Sequence, residues 1–105
     1  MIFVETRLFT KYITDFLSDE DYRKLQTELL VDPEKGAVIP GGKGIRKLRW
    51  AASSKGKRGG LRIIYYFQVR RDEILMLYAY RKSDVKDLTK IQLRQLVTLI
   101  EEKYK

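Results

Sequence analysis

The sequence predicts an α+β domain in which helices pack on an antiparallel sheet, in the order β-α-α-β-β-β-α. Three observations predict it. Apolar residues recur at helical spacing in two stretches before Pro33. From Ile45 to Tyr80 the apolar period falls to two, the signature of strands. After Thr89 the helical spacing returns. The 105 residues make one domain, residues 1–105, rather than two.

Ile2 to Val4 is a short apolar run that reads as a first strand. Leu8, Phe9, Tyr12, Ile13 and Phe16 give an amphipathic helix over about residues 7–17. Ser18 followed by Asp19, Glu20 and Asp21 reads as an N-cap with acids in the first turn, where the helix dipole favours them. Tyr22, Leu25, Leu29 and Leu30 continue that second helix, and Pro33 stops it near Asp32. So short a break implies a helical hairpin. Residues 33–44, with two prolines and four glycines, read as loop. Ile45 to Ala51 reads as a strand with Leu48 and Trp50 on one face and Lys47 and Arg49 on the other. The Ser- and Gly-rich tract 53–60 reads as a mobile hairpin loop. Leu61 to Val69 is apolar on both faces, which marks a central strand. Residues 70–73 turn the chain, and Ile74 to Tyr80 returns as the next strand. Thr89 and Gln92 match a capping box, followed by the stripe Leu93, Leu96, Val97, Ile100 and Tyr104.

Charge is distributed unevenly along this frame. Lys35 to Arg71 holds eleven Lys and Arg residues and no acid, in a chain of formal net charge +8. All fourteen acids lie outside that window. Ordinary surfaces mix both signs, so a block of one sign points to a polyanionic partner, nucleic acid first. The chain has no cysteine, which excludes disulfides, thiolate metal sites and a Cys nucleophile. It has no histidine, which removes the commonest acid–base catalyst and metal ligand. No metal and no cofactor are expected. No apolar run reaches the roughly 18 residues of a membrane span, and Glu5 and Asp15 interrupt the N-terminal stretch, so a cytoplasmic chain with no membrane contact is expected.

The cations suggest a site. If the three long strands are neighbours, Lys47, Arg49, Arg62 and Arg81 converge on one side of the sheet near one end. Arg62 lies within the central strand, where an unpaired charge is costly. A phosphate would relieve the repulsion and suits the guanidinium fork. The competing expectation is a solvated basic face, with Arg62 paired to a carboxylate such as Asp84. Lys43, Arg46, Lys55 and Arg58 extend the cationic surface and are candidate RNA contacts. Aromatic rings interleaved with arginine suit base stacking. Trp50, Tyr65 and Phe67 read as core, and Tyr80 is the one expected to reach the surface. Gly41-Gly42-Lys43-Gly44 lacks the Ser/Thr and the preceding strand of a phosphate loop.

The tract GIRKLRWAASSKGKRGGLRIIYYF, residues 44–67, and the later LYAYRKSDVKDLT, residues 77–89, resemble bacterial type II toxins of the RelE/HigB family, within the RelE/ParE superfamily. The order of elements agrees from Ile2 to Tyr104. The resemblance implies a ribosome-dependent endoribonuclease that cuts mRNA in the ribosomal A site and stops translation. It implies a cognate antitoxin as partner, ribosome and mRNA as target, and operator DNA only through the antitoxin complex. By position, the family's catalytic basic residues fall on Lys47, Arg49, Arg62 and Arg81. An earlier strand lysine of the best-known members aligns with Ile45, with Arg46, Lys55 and Lys57 the candidates to substitute. A tyrosine found past the last arginine in some members has no match, and Tyr80 is the nearest alternative.

Cutting RNA without a metal uses the 2′-OH as nucleophile on the adjacent phosphate. Arginine forks stabilise the extra charge, and a lysine among other cations can move protons. Lys47, or Lys57 from the loop tract, is the candidate for that role. Two other functions fit the charge: a module that binds RNA or DNA without cutting, and a gyrase-directed toxin of the ParE branch. The basic set Lys47, Arg49, Arg62 and Arg81 argues against the latter.

Overall fold

Hydroxyl caps set the starts of the α-helices among the described residues. A computed structural model of the chain describes residues 1–51 and 60–105. Thr6, Ser18 and Thr89 each accept a backbone N–H three residues on, opening α1 (Arg7–Phe16), α2 (Asp19–Val31) and α3 (Lys90–Lys103). Thr89 and Gln92 form the complete capping box that their spacing predicts. The acids Asp19, Glu20 and Asp21 occupy the first turn of α2.

The strands are β1 (Ile2–Glu5), β2 (Ala37–Val38), β3 (Ile45–Trp50), β4 (Leu61–Gln68) and β5 (Glu73–Arg81). They form one sheet in the order β1-β5-β4-β3-β2, so β4 is central, as its two apolar faces require. All neighbours are antiparallel except β1 and β5, which run parallel. That pair departs from the wholly antiparallel sheet expected from the sequence. In sequence the helical hairpin separates β1 from the other strands, and this long connection lets β1 join the β5 edge in the parallel sense. The loop expected over 33–44 contains β2, whose two residues pair with Arg46 and Lys47. Two rungs on an edge are too few for any periodicity to register.

Two cores form on opposite faces of the sheet. Phe9, Ile13, Leu17, Leu25 and Leu29 of the hairpin bury against Leu48, Leu61, Ile63, Tyr65, Ile74 and Met76. On the other face Ile100, with Leu93, Leu96 and Val97 of α3, packs on Ile45, Ile64, Leu75 and Leu77. Among the described residues no helix is long and apolar enough to cross a membrane.

One feature of β5 reorients its end. Ile64 faces Tyr78 but Tyr65 faces Met76, so β5 carries one extra residue, Leu77, at a β-bulge. Before the bulge, Ile74 and Met76 point to the hairpin core and Leu75 to the α3 core. Beyond it the alternation is inverted: Ala79 joins the hairpin core, and Tyr78 and Tyr80 join the α3 side.

Buried phenols fasten the outer elements. Tyr65 donates to the Pro33 carbonyl at 2.8 Å and accepts from the Gly36 amide at 2.9 Å, tying the end of the hairpin to the sheet. Gly36 fits there because a Cβ would stand 2.9 Å from the Tyr65 ring. Tyr22 donates to Glu5, and Tyr104 donates to Glu73. Burial first, then the carboxylate partner, pushes both hydroxyls well above their ordinary value of 10.0. The folded state therefore holds protons that the unfolded chain releases. Their stabilisation is complete below about pH 10 and is lost as pH climbs through the raised values. Urea midpoints measured between pH 8 and 11 should fall above pH 10, and less steeply in Tyr22→Phe and Tyr104→Phe.

Candidate phosphate-binding face of the sheet

α3 covers only part of its face. It packs on the Ile45–Tyr66 end, and leaves the opposite end of β3, β4 and β5 to polar residues. There Arg49, Arg62 and Tyr80 stand side by side, since Arg49 pairs with Arg62 and Arg62 with Tyr80. Lys47 lies two residues before Arg49 on the same face, roughly 7 Å along the strand.

Arg62 is 9% exposed, yet among the described residues no carboxylate pairs with it. Its Nη1 reaches the Leu61 carbonyl at 3.4 Å. The Asp84 pairing considered from the sequence does not form. A buried guanidinium without an acid is held at a desolvation cost that a bound anion would offset. Arg49 is exposed beside it and bears no ion pair among the described residues. The end of the sheet thus presents two adjacent guanidinium groups of like charge.

Lys47 and Tyr80 share a single acceptor. Asp87 Oδ1 lies 3.1 Å from Lys47 Nζ and 3.1 Å from the Tyr80 hydroxyl, and it also accepts from the Leu88 amide at 2.9 Å. Burial would raise the Asp87 carboxyl, but the Leu88 amide, Lys47 and Tyr80 outweigh it and hold the group below its ordinary value. Tyr80 moves the other way. Burial, then the charge and hydrogen bond of Asp87, push its hydroxyl up to about 12 against a smaller opposing pull from Arg62. It is therefore a protonated donor at neutral pH. Tyr80 is 3% exposed, which corrects the expectation that it reaches the surface. Its hydroxyl faces Asp87 while its ring belongs to the α3 core, so it is not an open stacking platform. A cleft of about 260 Å³ opens beside the Lys47–Asp87 pair, bounded by β2 and the start of α3.

Three other predicted residues are placed elsewhere. Arg81 faces Leu61, on the hairpin side, with its guanidinium carbon 4.9 Å from the Phe16 ring centroid. Strict alternation from Ile74 would have set Arg81 on the Arg62 face, and the Leu77 bulge turns it to the hairpin side and brings Tyr80 to the Arg62 face instead. The expected convergence of four cations on one side is corrected to three. If the chain cuts RNA as the sequence resemblance implies, Arg81→Ala should accordingly cost about tenfold or less in a quantitative primer-extension assay, far below Arg62→Ala. Arg46 lies on the opposite face from Lys47, where it donates to the Glu34 and Gly36 carbonyls and pairs with Glu34 at 3.9 Å. It pins the 33–36 segment to the sheet and is not oriented toward the Arg62 site. Lys43 lies beyond the far end of β3 and pairs with Glu101 of α3 at 3.2 Å. Lys55, Lys57 and Arg58 lie outside the described residues.

Asp87 was missed by the sequence reading. Its only signal was a lone acid two positions ahead of the Thr89 N-cap, a place where acids serve helices generally. No protein-family model matches the chain.

Proposed function

We propose that this chain is the toxin of a type II toxin–antitoxin pair, a ribosome-dependent endoribonuclease that cuts mRNA in the A site and stops translation. The observation that carries this reading is the buried, acid-free Arg62 set between Arg49 and Tyr80, with Lys47 on the same face. The resemblance of residues 44–67 and 77–89 to RelE/HigB toxins supports it. So does the concentration of charge, eleven cations without an acid between Lys35 and Arg71.

The chemistry follows from these groups. The scissile phosphate lies against the Arg62 and Arg49 guanidinium groups. The 2′-oxygen attacks phosphorus as its proton departs, and the bond to the 5′-oxygen breaks. That oxygen takes up a proton, leaving a 2′,3′-cyclic phosphate and a 5′-hydroxyl. Arg62 and Arg49 stabilise the charge that builds on the phosphoryl oxygens. Tyr80, protonated at working pH, is a hydrogen-bond donor within the same cluster. Lys47, ion-paired with Asp87, adds positive charge to the same cluster. The ribosome contributes by orienting the RNA for in-line attack.

Expression without an antitoxin should arrest growth and leave mRNA cut within codons, while Arg62→Gln should relieve the arrest. Growth arrest with intact mRNA and inhibited DNA supercoiling would instead indicate a gyrase-directed toxin. RNA binding without cleavage or arrest would indicate a plain binding module. Partners in this reading are the antitoxin, the ribosome and its mRNA, with operator DNA reached only through the antitoxin complex.

A further inference from the structure

We infer that Asp87 is a positioning residue for the reaction: it fixes Lys47 and Tyr80 relative to each other and to the Arg62 phosphate site. The inference rests on the endonuclease reading above and extends it to a residue outside the basic set.

The geometry is that of a clamp. One oxygen, Asp87 Oδ1, receives three donors from three parts of the chain: Lys47 on β3, Tyr80 on β5 and the backbone at Leu88. A lysine at the end of four rotatable bonds gains a defined position only from such a partner. Asp87 is itself held, because Leu88 packs into the α3 core and Thr89 begins the helix with a closed capping box. The rigid start of α3 thus sets where the ammonium and the phenol stand.

Direct roles for Asp87 fit less well. A general base works best with an affinity for protons near the working pH. The three donors pull Asp87 the opposite way, below its ordinary value. It is also not a stabilising element of the core, since its side chain is 59% exposed. Among the described residues, the charged and titratable groups around Tyr80 are Asp87, Lys47, Arg62 and Tyr78, and Asp87 is the carboxylate.

The test compares Asp87→Asn, Asp87→Glu, Lys47→Ala and the double variant Lys47→Ala/Asp87→Asn. The first readout is the titration of Tyr80 in ring-labelled protein by ¹³C NMR, which needs no cleavage. Asp87→Asn should begin to ionise Tyr80 at lower pH than wild type, because the carboxylate that opposes ionisation is gone while the burial remains. The second is cleavage of ribosome-bound mRNA. Asp87→Asn should lower kcat by on the order of 10- to 100-fold with KM nearly unchanged. Asp87→Glu should recover part of that loss, and it replaces Asp87→Asn if the amide fails to fold. The double variant should lose less than the two single losses combined, since Asp87 acts in part through Lys47. Wild-type kcat in Asp87→Asn, an unmoved Tyr80, or fully additive losses in the double variant would each overturn the inference while leaving the endonuclease reading intact. A wild-type chain inert on ribosomes would instead remove that reading, and this inference with it.

Discussion

On the endonuclease reading proposed above, replacing Arg62 by alanine should lower cleavage of ribosome-bound mRNA by about 10²- to 10³-fold while the chain stays folded. This guanidinium is the group whose placement has no structural explanation. It is 9% exposed, lies on the central strand and has no carboxylate partner among the described residues. A charge retained under those conditions costs free energy, so removing it should leave stability unchanged or slightly raised. That sign separates function from structure: a residue kept for packing would lose stability on truncation. Arg62→Lys keeps the charge but not the fork, and should recover only a small part of the activity. The decisive measurement pairs a single-turnover cleavage rate with a urea midpoint for each variant. Loss of activity that tracks loss of stability would defeat the assignment.

The largest stability effect is expected at Phe9. Phe9→Ala should cost about 3–5 kcal/mol, a large share of the roughly 5–15 kcal/mol that holds a small domain together. Phe9 is fully buried, its ring centroid is 5.9 Å from that of Tyr22, and it joins both hairpin helices to the face of β4 and β5. Its amide also donates to the Thr6 hydroxyl that caps α1, so the backbone there is fixed and cannot collapse into the void. Chemical denaturation should show the midpoint falling sharply. The Arg62 face lies on the other side of the sheet, so chemistry per folded molecule should change little. A variant that kept full stability would mean the hairpin core is not closed as described.

Much of the architecture was legible in the residues. Helix starts follow from hydroxyl residues ahead of apolar stripes, because capping is a local interaction settled within one turn. The faces of β3 and β4 follow from strict alternation: Lys47 and Arg49 oppose Leu48 and Trp50, and Arg62 opposes Leu61 and Ile63. The parallel pairing of β1 was not legible, since a four-residue apolar run carries no information on which strand it meets. Nor was β2, two residues inside a loop rich in Gly and Pro.

The site divided along the same line. Periodicity, with the strands taken as neighbours, placed Lys47, Arg49 and Arg62 together, and the composition alone removed histidine and thiol chemistry from consideration. Only the folded chain decided between Arg81 and Tyr80, because a single extra residue at Leu77 inverts every side chain after it and leaves no trace in the hydrophobic pattern of Leu75 to Ala79. Only the folded chain brought Asp87 to Lys47, forty positions apart, since that meeting depends on where α3 is nailed to the sheet. Short-range rules settle what each element is and which way it faces. Encounters between distant side chains depend on packing, and there one inserted residue can exchange an arginine for a tyrosine.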